Sequence, residues 1–558
     1  MIEERDVDVK MRDGVALAVD IFRPATDGRF PALVAISAYG KGMQSLSIPT
    51  QDFTAPLYCA SIEAGDSDFL VSRGYIHIIA DTRGTYKSGG QYRGWMSQQE
   101  AEDGYDLIEW AAVQPWCDGN VGMVGISYYG TVQLRIAAER PPHLKAIMPW
   151  NCVADYYREA THHGGIVQTF FHHLYSGSIH CQGVSVTLEG LSEEEQKALI
   201  EKLKQDRDLQ MYPRLYNLVD VPHLVPCFFD ILANPYDGPF YWERSPAAMY
   251  DRIKIPFYAR SSWWAYGHMH LVGAFWNYLG IDAPKKLRID GMMVEDRPLP
   301  KDYNEEVVRW YNYWLKGMDT GIMDEPPVQF ALLGLGPNQW REEHEWPLKR
   351  TQWTKYYLHR WKRLMPDPEL FHGHPDTFVQ QPLDETTEVA SVEYLTPPIE
   401  EDMEVIGPLA LYLHAAIDQD DTNWIVIVRD VAPDGREREL SKGFLKASHR
   451  AVDEGRSKPW EPYHLHTHKD PVKPGEVYAY ALALAPIANV FRTGHQLKLV
   501  ITCMDHAKLR TAAGSVGDSH APWHLCSSRT TMHQIFHDPD HPSHLVAPVI
   551  PKLVGSSS

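Results

Sequence analysis

An apolar strand that breaks at a single serine into a helix constrains this chain more than any other stretch. The run is Asn120-Val121-Gly122-Met123-Val124-Gly125-Ile126-Ser127-Tyr128-Tyr129-Gly130. Strand, tight turn and helix in that order are the layout of a nucleophile elbow, which holds a serine hydroxyl exposed at the top of a sheet. A serine is a poor nucleophile unless a base and an oxyanion site surround it, so the rest of the chain is read for those partners. Gly130 falls one place later than the second glycine of the Gly-x-Ser-x-Gly pattern.

The flanking sequence sets the elbow in an α/β sheet. Residues 15–22 alternate as a strand; 31–37, 75–80 and 144–148 are apolar runs suited to buried strands. Residues 102–113 and 129–139 carry helical periodicity, with Glu102 and Asp103 placed at the positive end of the first helix. Strands alternating with helices indicate a mostly parallel sheet covered on both faces. From 151 to 245 the pattern becomes helical and rich in histidine and aromatics, with a charged amphipathic helix over 191–205. This reads as a cap inserted into the core. The alternation resumes with a strand at 253–259, a helix at 270–279, a strand at 286–289 and a helix at 303–316, and stops at the turn-rich 317–327. Beyond Val328, short strands such as 328–333, 409–415, 424–428, 477–484 and 496–502 are separated by Pro, Gly and Asp turns, the pattern of an all-β sandwich of jelly-roll type. The expected division is an α/β core at 1–150 and 246–327, a helical cap at 151–245 and a C-terminal jelly roll at 328–554.

Composition excludes some functions. With 53 basic and 73 acidic residues the net charge is −20, which argues against nucleic acid, since phosphate binding needs a basic face. Seven cysteines occur without a Cys-x-x-Cys pair, the pattern of reduced thiols in a cytoplasmic protein. The start of the chain is charged and lacks an apolar signal core, and no apolar run is long enough to span a membrane. A chain of 558 residues can bury a core that needs no metal or disulfide staple.

Residues 114–130 resemble the serine region of the cocaine-esterase and Xaa-Pro dipeptidyl-peptidase family, which also includes α-amino-acid ester hydrolases and glutaryl acylases. Asp81-Thr82-Arg83-Gly84 resembles the family's Asp-Thr-Arg-Gly loop, a structural element in which Asp81 and Arg83 are placed to form an ion pair. Residues 310–317 resemble the last helix of its catalytic domain, 394–398 with 406–408 the opening of its jelly roll, and 489–495 a late signature. The resemblance spans nearly the whole chain. It implies an α/β-hydrolase core, a cap and a jelly roll, with Ser127 as nucleophile, the Tyr128 backbone N–H as one oxyanion donor and the Tyr39 hydroxyl as the other. A phenol is neutral at pH 7 and a better donor than an aliphatic hydroxyl.

The family pattern fails at the base. The segment that carries its aspartate is Ser262-Trp263-Trp264-Ala265 here, with Ala265 at the acid position, and Val294 or Glu295 stands at the histidine position. His268 is the first replacement candidate and His270 the second, with Glu295, Asp296 or Asp290 to orient the imidazole; Glu295 acting directly is a weaker option. In the cap, His162, His163, His172, His173 and His180 lack metal-ligand spacing and read as substrate contacts or packing. His464, His466 and His468 alternate on one strand and read as surface residues.

The function expected is a serine hydrolase that cleaves an ester or amide acyl bond through an acyl-enzyme, without cofactor or metal, on a small-molecule or short-peptide substrate. The alternatives are a non-hydrolytic enzyme (isomerase, decarboxylase or cyclase) that uses the same oxyanion site, and a pseudoenzyme that binds a small molecule. Oligomeric state stays open, a homo-oligomer included.

Overall fold

The structure is a computed structural model. It describes residues 1–44, 63–169, 181, 183–263, 268–291, 301–336, 339–386, 388–504 and 523–552. Ten strands form the first sheet, in the spatial order Ile2–Lys10, Ala16–Arg23, Ile76–Asp81, Phe30–Ser37, Cys117–Met123, Leu144–Ile147, Phe257–Ser262, Lys285–Asp290, Val328–Ala331 and Trp340–Glu343. Every neighbouring pair from Ile76–Asp81 to Val328–Ala331 is parallel, and the pairs at both edges are antiparallel.

The central strands are buried on both faces. Along Phe30–Ser37, Leu33 and Ala35 enter one hydrophobic cluster while Val34 and Ile36 enter the other. A period-2 split between two cores arises only when helices cover both sides of a sheet. On one face lie Gln98–Ala112, Tyr128–Glu139 and His268–Gly280; on the other lies Lys301–Lys316, which contributes Trp310, Tyr311 and Leu315.

Between Leu144–Ile147 and Phe257–Ser262 stands the segment read as the cap. It holds a π-helical turn at Tyr156–Thr161, a two-residue hairpin pairing His162–His163 with Ile166–Val167, and a series of short helices. The charged helix spans Glu193–Lys204 and begins with a reciprocal capping box between Ser192 and Glu195.

In the C-terminal region an eleven-stranded sheet runs from Asp376–Gln380 to His544–Ile550, which also pairs with Met403–Ile417 and so closes the sheet on itself as an all-β domain. One strand expected there lies elsewhere. Val328–Ala331 pairs in parallel with Lys285–Asp290 and extends the first sheet. Short Pro- and Gly-bounded strands look alike in sequence whichever sheet they join; the Leu287↔Val328 register decides it. Among the described residues no helix is long and apolar enough to cross a membrane.

Candidate active site

The elbow is built by close backbone approach. Cys117–Met123 delivers the chain to Gly125, whose φ is +132°, and Ser127 follows with φ 61° and ψ −111°, a strained conformation for a residue with a side chain. A Cβ on Gly125 would lie 2.3 Å from Tyr129 Cβ, and one on Gly130 would lie 2.3 Å from the Trp150 carbonyl oxygen. The late glycine of the motif therefore serves helix–strand contact at Trp150. Hydrogen bonds hold the turn. Ser127 N–H donates to Trp150 O at 2.9 Å, Ile126 N–H to Glu63 O at 2.9 Å, and Thr131 Oγ1 to Ser127 O at 3.1 Å. Thr131 Oγ1 in turn accepts from Val153 N–H at 3.0 Å.

The structure brings His270 to this serine. Ser127 Oγ and His270 Nε2 lie 3.2 Å apart, within the reach a nucleophile and its base require. His270 sits in the first turn of His268–Gly280, and the Ser261 hydroxyl, at the end of a central strand, lies 3.1 Å from the His270 carbonyl. One turn further on, Gly273 lets this helix seat on the chain that follows the elbow: a Cβ there would stand 2.5 Å from Cys152 O and 2.4 Å from Glu159 Oε2. Burial pulls the His270 imidazole down to about 3, so it is neutral beside the serine.

Of the two histidine candidates, the second, His270, lies at Ser127 among the described side chains. His268 heads the same helix, and its side chain lies outside the described residues, as do Ala265, Val294, Glu295 and Asp296. Asp290, considered as an orienting acid, is held by Arg260 at 2.6 Å and Arg288 at 3.0 Å.

Aromatic residues stand beside the turn that carries the serine. Tyr128 begins the helix after Ser127, where the backbone N–H has no intrahelical acceptor. Tyr39 is half-buried and stands edge-on to Tyr128 and Tyr129, with ring centroids at 5.4 and 6.4 Å. Beneath them sits Glu100, which the sequence reading passed over. Its carboxylate accepts from Tyr128 O–H at 2.6 Å, Thr82 O–H at 2.8 Å and Met96 N–H at 3.0 Å. Burial pushes Glu100 up to about 7 against the opposing effect of these donors. A signal for it existed. Ser97 accepts from Glu100 N–H at 3.3 Å, so the Ser-x-x-Glu spacing starts the helix at Gln98, earlier than the expected Glu102.

Two further expectations are corrected. Arg83 pairs with Asp103 at 2.6 Å and Asp13 at 2.7 Å, whereas Asp81 accepts the Lys41 N–H at 2.6 Å. Asp81 ends strand Ile76–Asp81 while Arg83 stands in the turn beyond it, where helix Gln98–Ala112 offers the guanidinium the Asp103 carboxylate. His464 and His466 are buried, with His464 Nε2 2.7 Å from Ala481 O; only His468 is exposed. Residues 464–468 form no strand; they pack under the segment read as the cap, where His466 approaches Tyr157 with centroids 5.3 Å apart. His162 and His163 are also buried, and His163 Nδ1 lies 2.9 Å from His524 Nε2. His172, His173 and His180 lie outside the described residues.

Residues 13–290 match the model of the X-Pro dipeptidyl-peptidase (S15) family, and residues 320–546 that of the X-Pro dipeptidyl-peptidase C-terminal non-catalytic domain. The cocaine esterase of Rhodococcus sp. is 25% identical over 608 residues, covering 98% of each chain. A CocE/NonD family hydrolase from Staphylococcus aureus superposes with a TM-score of 0.77 at 24% identity, over 99% of this chain and 94% of that one. An α-amino acid ester hydrolase does so with a TM-score of 0.74 at 17% identity, over 98% of this chain and 96% of that one. These structural likenesses establish the shared fold.

Proposed function

The chain belongs to the X-Pro dipeptidyl-peptidase S15 family of serine hydrolases, and on that premise we propose that His270 activates Ser127 for attack on the carbonyl of a small ester or amide. The observation that carries this reading is the 3.2 Å separation of Ser127 Oγ and His270 Nε2.

In the first step Nε2 takes the hydroxyl proton as Oγ bonds to the carbonyl carbon. The carbonyl oxygen becomes an oxyanion, held by the Tyr128 N–H and the Tyr39 hydroxyl. The imidazolium gives its proton to the leaving alcohol or amine, which departs and leaves an acyl-serine. Water then repeats the sequence with His270 as base, and the acid and free serine result. A buried neutral imidazole is a weak base in the resting site; the negative charge that develops on the tetrahedral centre raises its proton affinity during the step.

The near full-length match to a cocaine esterase supports esters as the first substrates to try. Membership in a hydrolase family disfavours the isomerase, decarboxylase, cyclase and pseudoenzyme readings. The described cysteines Cys117, Cys152, Cys181, Cys227, Cys503 and Cys526 are free thiols, which supports a reducing, cytoplasmic setting.

A fluorophosphonate probe tests the reading. Stoichiometric labelling that vanishes in Ser127→Ala and slows steeply in His270→Ala is expected. Folded protein that takes no label, or labels as fast in His270→Ala, refutes it.

A further inference from the structure

Glu159 carries a buried carboxyl that the reaction above does not use. It stands on the π-helical turn Tyr156–Thr161 and is 1% exposed. Its Oε1 accepts two backbone N–H groups, that of Ala154 at 2.8 Å and that of Asp155 at 2.7 Å. Its Oε2 is buried without a hydrogen bond and faces the helix His268–Gly280, 2.4 Å from where a Cβ on Gly273 would stand. Among the described residues Glu159 makes no ion pair; its neighbour Arg158 is held by Asp155 at 2.8 Å and by Asp237 at 2.7 Å. Burial keeps the carboxyl well above its ordinary 4.5, so it is neutral at pH 7. An apolar side chain would fill the same volume without the cost of burying a polar group, so the acid calls for a reason.

The reason lies in what its two oxygens join. Residues 150–155 carry the supports of the nucleophile turn. Trp150 O accepts the Ser127 N–H at 2.9 Å, and Val153 N–H donates at 3.0 Å to Thr131 Oγ1, which donates at 3.1 Å to Ser127 O. The next two N–H groups along that segment, those of Ala154 and Asp155, end on Glu159 Oε1. Gly273 stands one turn beyond His270 along its helix. The carboxyl therefore touches the support of the serine with one oxygen and the helix of the base with the other. The seat is tight, since Cys152 O and Ala154 N lie 2.5 and 2.8 Å from the same Gly273 Cβ position. In a close-packed interior, a side chain wedged between two elements fixes their separation.

We propose that Glu159 is a positioning residue that sets the distance between Ser127 and His270, by holding residues 150–155 against the helix of the base. The inference rests on the reading of His270 as the base for Ser127.

The test is inactivation by the fluorophosphonate at several probe concentrations, which separates the maximal rate from the half-saturating concentration. Glu159→Met keeps the length of the side chain and removes the acceptor. Its maximal rate is expected to fall about 10- to 100-fold, as for reacting groups displaced by about 1 Å, with half-saturation little changed. Glu159→Gln keeps a carbonyl oxygen for Ala154 and Asp155 and is expected to restore most of the rate. In a His270→Ala background Glu159→Met is expected to cost little more, since a residue that acts through the base then has nothing left to place. Melting curves establish that each variant is folded. If Glu159→Met is not, Glu159→Asp, which withdraws the carboxyl by one methylene, takes its place with the same expectations. A folded variant that labels at the native rate, a Glu159→Gln as slow as Glu159→Met, or an equal loss with and without His270 overturns the proposal. Failure of the parent reading has a different signature: His270→Ala by itself then labels as fast as the native protein, and the proposal falls with it.

Discussion

Ser127 and His270 are 143 residues apart in the chain and 3.2 Å apart at Oγ and Nε2. The serine is held by the strained turn into Tyr128–Glu139, and the histidine by a separate helix whose first turn is tied to Ser261. The pair is therefore the product of two elements packed independently against one sheet, and its dependence on each can be measured.

Replacing His270 with alanine is expected to lower kcat by roughly 10⁴-fold or more, as removal of a base from a serine-hydrolase unit does. Ser127→Ala is expected to cost about as much, and the double variant little more, because the two act as one unit. His268→Ala is expected to retain most of its turnover. Steady-state kinetics on one chromogenic ester compares all four, and a His268→Ala loss equal to that of His270→Ala contradicts the assignment.

The pH profile follows from the burial of His270. An imidazole lowered to about 3 remains unprotonated through the range where an exposed histidine would gain its proton. The acid limb of kcat/KM, which reports the free enzyme, is expected below the ordinary histidine value of about 6.5. An acid limb at or above that value shows that the free imidazole is not shielded.

Tyr39→Phe removes one proposed oxyanion donor and leaves the ring contacts with Tyr128 and Tyr129. The expected loss in kcat is about 10²–10³-fold with KM little changed, the signature of an interaction made in the transition state. An equal loss in KM alone would instead make Tyr39 a ground-state binding residue.

Glu100 gives a stability prediction. Its folded value of about 7 exceeds the ordinary 4.5, so the folded state holds the proton more tightly. Stability is therefore greatest below 4.5 and falls as pH rises toward 7, by about 3 kcal/mol at the top of that window. Glu100→Gln is expected to flatten this dependence, as measured by urea unfolding at pH 5 and pH 8. An unchanged slope would mean that the carboxyl ionises freely.

Gly130→Ala places a methyl 2.3 Å from the Trp150 carbonyl. Backbone cannot yield as a flexible side chain can, so a loss of about 1–3 kcal/mol is expected, as for other overpacked sites. Because Trp150 also accepts the Ser127 N–H, labelling by the fluorophosphonate should slow in parallel. Denaturant melts and labelling rates on the same sample check both.

Much of this was legible locally. The elbow, the alternation of strands and helices, and the later switch to short turn-bounded strands are set by side-chain period and by glycine placement, and both act over a few residues. Ser127 and the order of the core elements could be read because strain and amphipathic pattern are written beside the residues that bear them. Val328–Ala331 could not be assigned to its sheet, since a short apolar strand satisfies either one and the hydrogen-bond register at Leu287↔Val328 selects. Nor could the buried state of His464 and His466, which depends on what packs over a segment that forms no strand.

By itself, then, the sequence determined the serine, its turn and the class of each region. Which imidazole meets that serine was decided in three dimensions. His268 and His270 have the same chemistry and stand two residues apart on one helix, so no local pattern separates them. The close seat at Gly273 and the tie from Ser261 to the His270 carbonyl fix where that helix lies and bring His270 to Ser127. Glu100 was hidden for a similar reason. Its high proton affinity comes from burial beneath Tyr128, and burial is a property of the packed chain, which a residue's neighbours in sequence do not specify.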